Sequence, residues 1–150
     1  MAVLKAKLMT DVQNASTLST HPAVSKRLLW VGWGMSALPV LLLLFSGVMK
    51  LMKPAEVMEG FVHLGYPDGL SLAIGLAELT STVLYLIPRT SVLGAILLTG
   101  YLGGATASHV RIGEPFHMAI LMGVLVWGGL YLRDERLRAL LPLRKEPAQR

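Results

Sequence analysis

Apolar residues along the chain gather into four long runs, at residues 28–49, 69–87, 91–112 and 116–132. The first, LLWVGWGMSALPVLLLLFSGVM, contains no charge. The second is interrupted only by Glu78, the third carries His109 near its end, and the fourth has His117 close to its start. A bilayer core takes about 20 mostly apolar residues per helix, within a range of roughly 17–25. Only helices and closed barrels satisfy their own backbone in lipid. The pattern therefore predicts an all-α membrane protein, a four-transmembrane-helix antiparallel bundle. Pro88 and Arg89 separate the second run from the third, and residues 111–115 separate the third from the fourth. Connections this short make neighbouring helices antiparallel.

The connection between the first two runs, residues 50–68, is long for a compact bundle. Pro54 is placed to open a helix, and PAEVMEGFVHLGYP spaces Val57, Phe61 and Leu64 on one face. That is the pattern of a short amphipathic helix lying in the membrane interface, between spans one and two. Gly65, Pro67 and Gly69 then turn the chain. Residues 3–12 predict another short interfacial helix with Lys5 and Lys7 on its polar side, and residues 14–20, rich in Ser and Thr, a tether. No long apolar run occupies residues 1–20, so this stretch does not read as a secretory signal. The expected organisation is an N-terminal tether at 1–27, a membrane domain at 28–132 and a basic tail at 133–150.

Composition strengthens this picture. Charged residues make up only 15 % of the 150, against about 25 % in soluble domains. Hydrophobic residues make up 53 % and the mean hydropathy is +0.57. A soluble enzyme, a disordered chain and a coiled coil are all excluded. The absence of cysteine excludes disulfides, thiolate metal sites and cysteine-held clusters. Four spans place both termini and the turn at Arg89 on one side. That side collects Lys5, Lys7, Lys26, Arg27, Arg89, Arg133, Arg136, Arg138, Arg144, Lys145 and Arg150, eleven in all, against Lys50, Lys53 and Arg111 on the other. The bias makes both termini cytoplasmic, in a multi-pass protein of a bacterial inner membrane. The charges flank apolar spans instead of forming one patch, so no nucleic acid is expected as a partner.

Chemistry enters with the polar residues inside the spans. Glu78 is central in the second, where an ionisable group marks a functional site or a hydrogen-bonded helix contact. Ser71, Gly75, Glu78, Thr82 and Tyr85 recur at spacings of 4, 3, 4 and 3 and form one stripe predicted to face the interior. Burial favours the neutral acid unless a cation or several donors lie close. A neutral Glu78 is able to give and take a proton. Gly100, Gly104 and Ser108 recur every four residues, a small-residue face that lets helices approach. Thr99, Thr106 and His109 line the stripe beside it. Tyr101 lies at about the depth of Glu78, placed to hydrogen-bond it. Lys50, His109, Arg111 and His117 gather at the outer ends of the spans. An acid below imidazoles, in a cavity open to one side, suits proton transfer. It also suits an amphipathic small molecule such as a quinone. The same end residues serve equally well as interfacial anchors. His109 and His117 lack the spacing of a helical metal pair, and no metal site is expected.

Four stretches resemble the DoxX-like membrane family: LFSGVMKL at 44–51, FVHLGYP at 61–67, IGLAEL at 74–79 and LGAILLTGYLGGATASHVRIGEP at 93–115. Order and spacing match from the first span to the fourth, and the N-terminal 25 residues lie outside the resemblance. Lys50 matches the family's lysine after the first span, Glu78 its mid-span acid, and His109 its histidine before the short outer loop. The resemblance implies a four-helix bundle. It also implies, at a distance, membrane subunits of oxidoreductase systems, among them thiosulfate-to-quinone electron transfer, or receptor-assembly factors.

The leading expectation is a polar cavity, open outward, that binds a small hydrophobic quinone-like molecule within an oxidoreductase system. Glu78 would carry the proton, with His109 and Lys50 polarising the ligand's oxygen and Tyr101, Thr82, Thr106 and His117 around it. The first alternative is an assembly protein without chemistry. Gly123 with Ala119, and Gly128 with Gly129, would leave the fourth span a small-residue surface for a protein partner or a second copy. The second alternative is a small isomerase or hydrolase using Glu78 and His109. Apart from lipid, these readings imply a small ligand or a protein partner.

Overall fold

The structure, a computed structural model, describes Lys5, Lys7, Met9 and residues 26–67 and 69–141. Lys5, Lys7 and Met9 are helical. The predicted tether at 14–20 and the end of the basic tail lie outside the described residues. From Lys26 onward the described chain forms α1 (Lys26–Met52), α2 (Ala55–His63), α3 (Leu70–Leu86), α4 (Ser91–Arg111), α5 (His117–Arg133) and α6 (Glu135–Leu140), with no strand. Two helices, α1 and α4, are long and apolar enough to cross a membrane. The other two predicted spans, α3 and α5, are apolar helices of 17 residues each.

These four helices close a ring: α1 packs on α3 and α5, α3 on α4, and α4 on α5. Glycines set how closely they meet. A Cβ on Gly32 of α1 would stand 3.0 Å from the Gly129 carbonyl oxygen of α5. A Cβ on Gly75 of α3 would stand 2.9 Å from the Lys50 Cβ of α1, and one on Gly94 of α4 only 2.2 Å from the Tyr85 backbone nitrogen of α3. The Gly100–Gly104 face expected to pack meets nothing within 4 Å. Of the pair expected to be spare on the fourth apolar run, Gly129 abuts Gly32 and Ser36, while Gly128 abuts Met35 and also lines the open groove between α4 and α5. Spacing predicted small faces on these helices but not which neighbour each would meet.

Apolar and polar residues share the interior: Leu43, Leu98, Val126 and Leu130 form a buried core, with polar side chains buried beside them and many apolar ones left exposed. Leu41, Phe45, Leu76, Ile96 and Val124 are exposed, while Ser36, Ser71, Glu78, Ser81, Thr82, Ser91 and Ser108 are buried. All five residues of the Ser71–Tyr85 stripe are buried. At the end of the ring that holds the helix termini of α1 and α5, the Tyr85 hydroxyl donates to the Val126 carbonyl and pairs with the Ser36 hydroxyl, both at 2.8 Å. The Arg133 guanidinium lies 4.4 Å from the Trp33 ring centroid and 4.7 Å from that of Tyr85. Asp134 caps α6 by accepting from the Arg136 and Leu137 backbone N–H groups.

At the opposite end, α2 begins after an extended Pro54 and buries one residue, Phe61. It makes no extensive contact with any other helix. Its C-terminus closes through Gly65 at φ 72°: Gly65 N–H donates to Val62 and Tyr66 N–H to Phe61. The left-handed glycine satisfies the last carbonyls and reverses the chain. The end of α4 repeats this device, with Gly113 at φ 75°, Gly113 N–H donating to Val110 and Glu114 N–H to His109.

Candidate functional site

The polar residues of α1 and α3 meet where these two helices approach closely. Gly75 brings α3 against Lys50, and Gly47 leaves room on α1 for Leu79 and the Glu78 carboxylate. The Lys50 Nζ lies 3.0 Å from Glu78 Oε2 and also donates to Ser46 Oγ one turn earlier. Glu78 is 1 % exposed and Lys50 16 %. A lone buried carboxylate is expensive to ionise, and an ammonium at hydrogen-bond distance offsets that cost. The sequence left open whether a cation would stand beside Glu78; Lys50 does, and the two form an ion pair between α1 and α3.

This pair adjoins a cavity of about 500 Å³. Ser46 and Lys50 of α1, Ile74 of α3, and Gly100, Tyr101, Gly104, Ala105, Ser108 and His109 of α4 form its walls. Phe61, Leu64 and Tyr66, from α2 and its C-terminal turn, close it from the outer end. Glu78 stands behind Lys50 and is not on the wall. Tyr101, on the α4 wall, is placed close enough to interact with Glu78 and Ser46. Gly100 and Gly104 thus serve as a flat strip of cavity wall, not as a helix contact.

Of the residues the sequence singles out, Lys50, Glu78, Tyr101 and His109 come together. Three others do not. Thr82 is fully buried and donates to the Glu78 backbone carbonyl at 2.7 Å, within its own helix. Thr106 donates to the Leu102 carbonyl and lines a different, apolar groove between α4 and α5. His117 is exposed at the start of α5, a helix that contributes nothing to the cavity wall.

Two residues at the mouth escaped the sequence reading. Glu114 bridges two imidazoles, its Oε1 2.8 Å from His63 Nε2 and its Oε2 2.9 Å from His109 Nδ1. Hydrogen bonds from His109 and then His63 hold its pKa below the ordinary carboxylate value. An ionised carboxylate only accepts, so both imidazoles donate. With Nδ1 committed to Glu114, His109 has Nε2 to offer the cavity. Tyr66 pairs its hydroxyl with Ser108, and Arg111 donates to the Leu64 carbonyl while its guanidinium stands 6.0 Å from the Tyr66 ring centroid. The signal was present in HLGY and RIGE. A glycine closing each helix turns the next residue back onto that helix's last turn, which places Tyr66 and Glu114 at the mouth.

The described residues form helices with many exposed apolar side chains, and two of these helices are long and apolar enough to cross a bilayer, which fits an all-helical membrane protein. The DoxX-like family profile matches residues 34–129, and the chain belongs to that family. No curated protein and no solved structure matches it.

Proposed function

We propose that the protein spans the membrane four times, with α1, α3, α4 and α5 as the spans and both termini cytoplasmic. It binds a small, neutral, flat molecule of quinone type in the cavity above Lys50 and Glu78. The observation that carries this reading is the ion pair at 3.0 Å beside a cavity of about 500 Å³. The size falls within the range of small-molecule pockets, roughly 300–1,000 Å³. The chemistry of the walls is divided. Gly100 and Gly104 present bare backbone opposite the apolar Ile74, Phe61 and Leu64, a slot for a flat ring. Lys50 and Tyr101 at one end and His109 at the other offer hydrogen bonds to ring oxygens. Because Glu78 balances the charge of Lys50, the slot favours a neutral ligand over an anion.

In this reading Lys50 donates to a ligand oxygen and Glu78 holds the ammonium in place and exchanges protons with it. His109 is oriented by Glu114 and meets the second oxygen. The chain lacks thiols to carry electrons, so it acts as a membrane component of an oxidoreductase system whose partner supplies them. The test is equilibrium binding of a short-tailed benzoquinone to the protein in lipid nanodiscs. Parent protein binds. Glu78→Gln, which leaves Lys50 without its counter-charge, and Gly104→Leu, which fills the slot, both weaken binding at least about tenfold, or ~1.4 kcal/mol. Parent-like binding by both variants overturns the reading.

A second reading has its own observation. An apolar groove of about 570 Å³ runs between α4 and α5, lined by Gly103, Ala119, Gly123 and Trp127 among others. It would seat a helix of a protein partner or of a second copy, as an assembly protein requires. Gly123→Leu, which blocks that groove, would then abolish association while leaving the cavity ligand bound.

A further inference from the structure

The three groups at the cavity mouth do more than complete its wall. We propose that Glu114, held by His63 and His109, is a proton-operated clasp that keeps α2 closed over the cavity, shut in mildly acidic surroundings and released as the imidazoles lose their protons. This deepens the reading of the cavity as a binding site, which it takes as its premise, by naming how access is controlled.

The argument begins with what holds α2. It has a single buried residue, Phe61, and no extensive packing on any other helix. Yet α2 and its turn supply Phe61, Leu64 and Tyr66 to the cavity wall. A segment that covers a cavity without a packed interface of its own depends on side-chain ties. Besides the buried Phe61 side chain, these are polar: His63 to Glu114, Tyr66 to Ser108, and Arg111 to the Leu64 carbonyl. Of the three, only the first joins an imidazole to a carboxylate.

Glu114 sits on the connection between α4 and α5, anchored by its own N–H to the His109 carbonyl. One carboxylate oxygen takes His109 from α4 and the other takes His63 from α2. His63 is the last residue of α2 and its side chain is 65 % exposed, so solvent protons reach it directly. With both imidazoles protonated, the carboxylate accepts two charge-assisted hydrogen bonds, which are roughly twice as strong as neutral ones. As pH rises through the range where imidazoles deprotonate, each bond remains but its charge is lost. The hold on α2 weakens by that difference, reduced by solvent screening at so exposed a site. At the acid extreme, once pH falls through the depressed pKa of Glu114, the carboxyl takes a proton and the clasp fails from the other side. The other charged and titratable groups on the elements around it are Glu59, one turn before His63 on α2 and lining the same surface pocket, Tyr66 on the turn, Arg111 on α4 and His117 at the start of α5. Lys50 lies at the far wall, with Glu78 behind it.

The chain has no cysteine, so one introduced thiol reports on the cavity without background. Ala105→Cys places it on the cavity wall, and Glu56→Cys places a reference thiol on the exposed part of α2. The measurement is the labelling rate of full-length protein in nanodiscs by a water-soluble maleimide, taken as the ratio of the two thiols to cancel the pH dependence of thiol reactivity. The expected ratio is at least about threefold lower near pH 5.5 than near pH 8, a window that brackets imidazole titration. Glu114→Gln and His63→Gln, which keep hydrogen-bonding capacity but remove the charge, should each give a high ratio at both pH values. Either variant alone suffices for the comparison if the other fails to fold. An equal ratio at both pH values in the parent background, or an undiminished pH effect in a folded variant, overturns the clasp. No ligand enters the readout. Failure of the clasp leaves benzoquinone binding to stand or fall on its own, and failure of that binding leaves the labelling result intact.

Discussion

Lys50 and Glu78 make the sharpest claim at the scale of single residues. Removing only the ammonium, as in Lys50→Met, strands a carboxylate that is 1 % exposed. Breaking a buried pair in this way costs about 3–5 kcal/mol, whereas replacing both partners by apolar groups is often neutral. Thermal unfolding in detergent should therefore show Lys50→Met strongly destabilised and Lys50→Met with Glu78→Leu close to the parent. A double variant as unstable as the single one would mean the pair is not the partner that Glu78 needs. Glu114 makes a different prediction. Its pKa is depressed, so its contribution to stability is present above the ordinary glutamate range and is lost as pH falls through the depressed value. In Glu114→Gln that acid-side decline should be shallower, as an unfolding series on the acid side would register. Sequence periodicity placed Glu78 on an inward stripe and His109 beside the small-residue face because their own helices set that, and the rise per residue put Tyr101 at the depth of Glu78. It left open whether Lys50 met Glu78, since the meeting depends on two glycines, Gly47 and Gly75, on different helices.

Among the elements, glycine position decides which helix faces are contacts and which are cavity. A methyl group on Gly94 would stand 2.2 Å from the Tyr85 backbone, and no side-chain rotation relieves a clash with backbone. Gly94→Ala should cost at least about 1–3 kcal/mol, the usual penalty of overpacking. Gly104 meets nothing within 4 Å, so Gly104→Ala should be neutral or stabilising by up to about 1 kcal/mol through helix propensity. Paired thermal melts distinguish the two, and equal losses would contradict the assignment of Gly104 to the cavity wall. Helix positions were legible because apolar runs, prolines and short turns fix them locally. The roles of glycines on α4 and α5 were not, because every small-residue face looks alike until its neighbour is known. Thr82 illustrates the same limit: its stripe is right, but its hydroxyl turns to its own helix's carbonyl.

For the whole molecule, the ring of helices divides its polar chemistry between two ends. The end with Arg133 between Trp33 and Tyr85 is locked by ring stacking and a buried hydroxyl network. The end with Lys50, Tyr101 and His109 holds the cavity and the loosely attached α2. A stable base and a lightly tethered cover suit a protein that admits a ligand from one side of the membrane. The proposed four crossings would place Arg89 on the cytoplasmic side and Glu56 on the other. In sealed, right-side-out vesicles an impermeant thiol reagent should reach Glu56→Cys and not Arg89→Cys, and the reverse pattern would invert the orientation.

The central claim is that the slot beside the ion pair holds a small flat molecule. Native mass spectrometry of the gently solubilised protein, with an absorption spectrum of the same sample, tests it most directly. The parent protein should retain an adduct of quinone mass and absorption, and Glu78→Gln, folded to the same extent, should lose it. An empty parent protein, or an adduct retained equally by Glu78→Gln, would contradict the account.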